Sequence, residues 1–277
     1  MHLVRPPYLF PGLVLVCALA GIAALLSGSA DLSAADIWNA LTGKAPDNIQ
    51  RLVFELRLPR AMTAFGVGGL LAVSGVLMQV LLRNPLAEPY ILGSSGGAAV
   101  AALIAMLFGL GATIIDLAAF GGAMAATLLV FSIAQGSGSW TPTRLLLTGV
   151  VLAAGFSAAT TLLLALSPDQ NLRGMLFWLM GDLNYAYAPG QSLSLLVVIT
   201  VGGLLAARHL NVLARGDLQA AIVGLPVSGF RLLVFFVTAL ATAVSVTTVG
   251  VIGFIGLVVP HLIRIVAGSD HRIVVPA

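Results

Sequence analysis

The 277-residue chain carries 13 basic and 10 acidic residues, a charged share of 8% where soluble domains average about 25%. With 59% hydrophobic residues and a mean hydropathy of +1.07, it is neither a disordered segment, a disulfide-stapled secreted domain nor a nucleic-acid binder. The single cysteine, Cys17, lies inside an apolar run and has no partner for a disulfide.

Between the charged residues lie seven stretches long enough to cross a bilayer, which takes about 20 apolar residues for about 30 Å of hydrocarbon. They are residues 6–30, 61–82, 89–115, 117–143, 145–168, 183–207 and 232–260. None shows period-two alternation, and lipid tolerates only helices or closed barrels, so the prediction is an all-α, polytopic membrane helix bundle. It forms a single domain over residues 1–277. Arg5 precedes the first run and small residues follow it, but six more spans come after and no A-x-A site ends it. It therefore reads as a retained helix and not as a signal peptide. Val16 stands where a lipoprotein cleavage before Cys17 would need a small residue.

Tyr8, Trp38, Tyr90, Trp140, Trp178, Tyr185 and Tyr187 fall at or beyond span ends, where half-wet rings favour the headgroups. Small residues recur at four-residue spacing, as in Ala64, Gly68 and Ala72, in Gly93 and Gly97, and in Ala118, Gly122 and Ala126. Such rows predict close helix crossings. Charge leaves the orientation open. A cytoplasmic N-terminus puts Arg5, Arg83, Arg144, Arg208, Arg215 and Arg231 inside, against Lys44, Arg51, Arg57, Arg60, Arg173, Arg264 and Arg272 outside, which is no positive-inside bias.

The polar residues narrow the chemistry. The predicted span interiors hold no ionisable group, which disfavours a secondary transporter coupled to protons or sodium. The only lysine, Lys44, lies in TGKAP, so no Walker A loop is encoded and energy must come from another subunit. His2, His209, His261 and His271 are scattered, without HExxH or a cysteine partner, so no metal or cofactor site is expected. Residues 93–96 read GSSG, the short nucleophile motif of rhomboid-like intramembrane serine proteases, with Ser95 as nucleophile and His261 as base. Packing explains small residues at a helix start equally well.

Two loops carry further information. Between the sixth and seventh spans, Asp217 is placed as an N-cap, Leu218 to Val223 as a helical body and Gly224 as its stop. Leu218, Ile222 and Leu225 then share one face, and a helix this short needs a surface to pack on. That surface is either the bundle itself or a cytoplasmic partner. Before the second span, Arg57 and Arg60 flank Pro59, where long basic side chains commonly snorkel to headgroups.

Three strings, RLPRAMTAFGVGGLLAVSGVLMQVLLRNPLAEPYILGSSGGA (57–98), LFWLMGDL (176–183) and VGVIGFIGLVVPHLIRIVAGSDHR (249–272), closely resemble the FecCD-type membrane permease of iron-siderophore and vitamin B12 ABC importers. The resemblance implies a multi-pass permease in the bacterial inner membrane, working as a homodimer or with a paralogous second permease subunit. Cytoplasmic ATP-binding subunits and an extracytoplasmic substrate-binding protein would be its partners. It further implies that Arg57 and Arg60 dock the binding protein, and that Arg215 to Ser228 contacts the ATPase, with Arg215, Asp217, Leu218, Ile222, Gly224 and Leu225 in the contact. Asn84 and Pro85 would belong to a cytoplasmic motif, and Thr141 and Thr143 to the inner gate. The cargo implied is a metal chelate, iron-siderophore first, with vitamin B12 or haem as alternatives. The family pattern has about ten spans and this chain ends at HRIVVPA after seven, so a truncated or fragmentary permease is expected.

Overall fold

A computed structural model of the chain describes residues 6–136, 141–183 and 189–277. Helices α1 (Pro6–Leu26), α2 (Ala34–Leu41) and α3 (Asp47–Arg51) come first, and α3 runs through a π-helical segment, Leu52–Arg57, into α4 (Leu58–Leu82). A 3₁₀ turn, Pro89–Leu92, leads into α5 (Ser94–Leu107), followed by α6 (Ala112–Gln135), α7 (Pro142–Leu166) and α8 (Asp169–Met180). Then come α9 (Gly190–Leu205), α10 (Ala207–Leu213), α11 (Asp217–Ile222), α12 (Val227–Val249), α13 (Ile255–Ala267) and α14 (His271–Val274). The described residues contain no strand, and the all-α membrane-bundle reading is borne out.

Helix α4 is the axis of the bundle. It packs against α9, α12 and α13, and α12 reaches on to α6. The main core forms along it from Leu70, Leu77, Met78 and Leu81 with Val234 and Phe235 of α12. The small residues that matter are only partly those in the predicted rows. Gly97 and Gly122 do mark the crossing of α5 and α6, where a Cβ on Gly97 would lie 2.3 Å from Ala126 Cβ. Gly68, by contrast, has open space around it, and the close approach on α4 falls at Gly75, whose Cβ would lie 1.8 Å from the carbonyl oxygen of Gly256.

Among the described residues, five helical runs are long and apolar enough to cross a membrane: Tyr8–Leu26, Asp47–Leu82, Ala112–Gln135, Pro142–Leu166 and Val227–Val249. The α9–α10 pair, bent by 66°, passes the same test when the two helices are taken together. Two predicted spans are therefore corrected. The 89–115 stretch is not one continuous helix: it is interrupted at Gly93 (φ 72°), and α5, with 14 residues and about 21 Å, carries the chain from the Arg83 end to the start of α6, which returns to Thr141 beside Arg83. The 232–260 stretch is broken at Gly250 (φ 75°) and Phe254 (φ 68°), after which α13 turns back along α4.

That break moves the C-terminal residues to the other end of the bundle. Arg264 donates a hydrogen bond to Gln79 Oε1, close to the α4 terminus at Leu82, and Asn211 of α10 bonds both Asp270 and His271. Arg264 and Arg272 thus join Arg83, Arg144, Arg208, Arg215 and Arg231 at one end, leaving Lys44, Arg51, Arg57, Arg60 and Arg173 at the other. The charge bias that the seven-span reading lacked is present. Tyr90 is corrected as well: it packs inside with Val67 and Leu71, and its hydroxyl accepts from the Ile252 N–H at 3.4 Å. Tyr8 and Trp38 are exposed at 71% and 66%, while Trp140, Tyr185 and Tyr187 lie outside the described residues.

Candidate functional site

Helix α4 ends at Arg83, a non-glycine residue in the left-handed region (φ 50°), whose N–H bonds the carbonyls of Gln79 and Val80. Asn84 folds the chain onward by accepting the Leu86 N–H on its side-chain oxygen at 2.9 Å, and Pro85 stops helical continuation. The Asn84–Pro85 motif is therefore a C-terminal turn, and its product is the placement of the Arg83 guanidinium. Helix α7 begins nearby. Thr141 caps it by accepting the Arg144 N–H at 3.3 Å, and Pro142 occupies the first turn, where its missing donor costs nothing.

These two ends meet a third element. The Asp217 carboxylate on α11 accepts a hydrogen bond from Arg231 at the base of α12, 2.9 Å away, and lies 3.7 Å from Arg83. Leu82, Arg83, Thr141, Pro142, Thr143, Asp217 and Arg231 line one cavity of about 380 Å³. Residues far apart in sequence, the RNP turn, the threonines and the loop helix, thus share one polar site. Arg83 and Arg231 are the members sequence reasoning missed as site residues. Their signal was present as two basic residues at span ends facing a loop carboxylate.

Helix α11 differs in detail from its prediction. Gly216 (φ 122°) precedes it as N-cap, and Asp217 is its first helical residue, with its carboxylate turned to Arg231 and not to the helix's own amides. Leu218 and Ile222 are each 76% exposed and share one face. Leu225 parts from them: the chain turns at Gly224 (φ 87°), and Leu225 packs against the main core. Ala220 is the one buried residue of α11, and Arg215 is exposed before it.

At the opposite end the two arginines have different environments. Arg57 is 7% exposed and folds over the C-terminus of α1, donating to the carbonyls of Leu25 at 2.6 Å, Leu26 at 3.1 Å and Ala30. It satisfies orphan carbonyls that α1 cannot pair itself. Arg60, one turn on, is exposed. Arg57 is thus turned onto the end of α1, whereas Arg60 presents an exposed guanidinium. The GSSG string likewise has a structural use, since Gly93 takes φ 72° ahead of α5 and a Cβ on Gly96 would lie 2.7 Å from Phe156 Cβ. Helix α8, which no span prediction covered, lines a second cavity of about 370 Å³ with Asp169, Leu172, Arg173, Leu176, Phe177 and Met180.

Comparison with known proteins matches residues 15–277 to the FecCD transport family. The hemin transport system permease protein HmuU of Yersinia pestis is 38% identical over 282 residues, covering 99% of this chain and 83% of that protein. The vitamin B12 import system permease protein BtuC of Vibrio cholerae is 39% identical, covering 98% and 80%. The ferric enterobactin transport system permease protein FepD of Escherichia coli K12 is 37% identical, covering 95% and 80%. A solved inward-facing conformation of a metal-chelate type ABC transporter superimposes with a TM-score of 0.86 at 30% identity, over 98% of this chain and 85% of that one. With the helical bundle and the match running from α1 to the last residue, the chain belongs to the FecCD transport family, and is a transport protein and not an enzyme.

Proposed function

We propose that this chain is the membrane permease of a binding-protein-dependent ABC importer in the bacterial inner membrane, moving a metal chelate, iron-siderophore first. It has no nucleotide-binding loop, so work reaches it by contact. The observation that carries the reading is the face of α11, where Leu218 and Ile222 stand 76% exposed at the end of the bundle that holds Arg83 and Thr141. Two large aliphatic side chains left in water are a docking face for an ATP-binding subunit, and burying each contributes about 1.5–3 kcal/mol. Arg215 and Gly224 flank that face and Leu225 pins it to the bundle. Thr141 and Thr143 form the inner gate.

A second permease subunit closes the pathway. Helix α7, whose buried residues are Leu145 and Gly149, offers the least covered long face beside the threonines. At the other end, Arg60 is the exposed charge for an acidic substrate-binding protein, and Arg57 supports it by fixing α1 against the α4 entry. An uncharged, glycine-rich pathway selects poorly, so the binding protein sets the cargo.

The test is co-purification and uptake together. Co-expressed with its ATP-binding subunit, the wild-type chain retains that subunit through purification, while Leu218→Asp with Ile222→Asp loses it and elutes as an intact bundle. Proteoliposomes supplied with the binding protein are expected to accumulate ferric enterobactin in preference to haemin and cyanocobalamin. Accumulation of haemin or cyanocobalamin instead reassigns the cargo within the family, and retention of the ATPase by the double variant rejects the docking face.

A further inference from the structure

The cavity beside Asp217 holds one carboxylate between two guanidinium groups, and the sharing is unequal. Asp217 Oδ2 is hydrogen-bonded to Arg231 at 2.9 Å, while Arg83 stands 3.7 Å from the same oxygen, outside hydrogen-bond range. The two cations differ in setting. The Arg231 side chain is 11% exposed at the base of α12, and the Arg83 side chain is 39% exposed on a turn. Both backbone joints beside Asp217 and Arg83 are in left-handed conformations, Gly216 at φ 122° and Arg83 at φ 50°. Helix α11 itself is weakly held, since Ala220 is its one buried residue, so the ion pair is a principal tether of the lever to the bundle.

Resting on the reading of α11 as the ATPase-docking element, we propose that Asp217 is the moving half of a two-position ionic latch. In the state seen here it is bonded to Arg231; when α11 is displaced it passes to Arg83. The exchange keeps a cation against the carboxylate throughout, so Asp217 is unpaired in neither position, and an element with two such positions is bistable. Thr141 and Thr143 line the same cavity. Movement of the carboxylate toward the end of α4 is thereby felt at the N-terminus of α7, and the lever is tied to the gate. Arg83 and Arg231 are positioning residues: each selects one state and neither touches cargo.

The latch is tested in the complete permease with its ATP-binding subunit in inside-out vesicles, with Thr143→Cys in a Cys17→Ala background and an impermeant maleimide as probe. Thr143 is exposed in the Arg231-bound state. Arg231→Gln is expected to slow labelling about fivefold, the population shift that about 1 kcal/mol of a part-exposed ion pair supplies. Arg83→Gln is expected to leave labelling at or above the parent rate and to abolish its response to MgATP with vanadate. Arg231→Lys, which keeps the charge, should restore most of the parent rate. Shifts of the two glutamine variants in the same direction, or no shift in either, overturn the latch. Loss of the ATPase from either variant also overturns it, because the ion pair would then be a docking tether and not a switch. Retention of the ATPase by the Leu218→Asp, Ile222→Asp chain would instead reject the docking reading, and opposite shifts measured without nucleotide would leave the latch standing.

Discussion

Arg264 on α13 donates a hydrogen bond to the side-chain oxygen of Gln79 on α4, across 185 residues of sequence. Gln79 also faces the carbonyl of Gly256 through its amide nitrogen at 3.4 Å. One buried glutamine therefore satisfies both the start of the returning helix and its cation. The α12–α13 break is the turn that follows the crossing of α12, and α13 leads the chain back along α4.

The first prediction concerns that turn. With Cys17→Ala as background, cysteines at Ser269 and at Gln219 are expected to react with an impermeant thiol reagent from the same side of the membrane, and a cysteine at Asp47 from the opposite side. Labelling of positions 269 and 219 from different sides would mean that residues 232–260 cross in full.

Arg57 and Arg60 should separate by experiment. Arg57 serves the carbonyls of Leu25 and Leu26 at the end of α1 and that of Ala30 beyond it, and each hydrogen bond to a charged group contributes about 1.5–3 kcal/mol. Arg57→Ala is expected to lower the thermal midpoint in detergent by several degrees, with Arg60→Ala within about 0.5 kcal/mol of wild type. For docking the order reverses. Arg60→Glu should weaken association with the binding protein and flatten its salt dependence.

Glycine on α4 offers an internal control. A methyl group at Gly75 meets a backbone carbonyl at 1.8 Å that cannot rotate away, whereas one at Gly68 meets nothing within 4 Å. Gly75→Ala is expected to cost about 1–3 kcal/mol or prevent assembly of α13 on α4. Gly68→Ala should be neutral or stabilising by up to about 1 kcal/mol. Thermal stability of the purified chain in one detergent decides both.

His271 should make the Arg83 end of the bundle acid-sensitive. Burial first, and then the positive charge of Arg264, push its imidazole down to about 4, with Asp270 opposing. The unfolded chain titrates near 6.5 and so binds more protons between these values, and stability is full above about pH 6.5 and declines as pH falls toward 4. The loss reaches about 3 kcal/mol at most. Thermal midpoints of the wild-type chain measured from pH 7.5 to pH 4.5 should fall more steeply than those of His271→Asn, a residue that cannot take up a proton.

Composition alone determined that this chain is a membrane helix bundle, because lipid forces each backbone segment to satisfy its own hydrogen bonds and so writes the spans into local runs of apolar residues. Tyr8–Leu26, Ala112–Gln135 and Pro142–Leu166 were legible for that reason, as was the shared face of Leu218 and Ile222, which depends on spacing within one turn. The strings at 57–98, 176–183 and 249–272 also carried the family. Tertiary structure decided what depends on distant partners. Apolar composition runs unbroken through Gly250 and Phe254, so only packing of α13 on α4 shows the chain turning back there. The same holds for Arg57, whose outward or inward course depends on carbonyls of α1 some thirty residues earlier, and for Asp217, whose local role as a cap gives way to a stronger charge on α12. A hydrogen bond to a close, part-buried guanidinium outweighs one to a helix amide that water can serve.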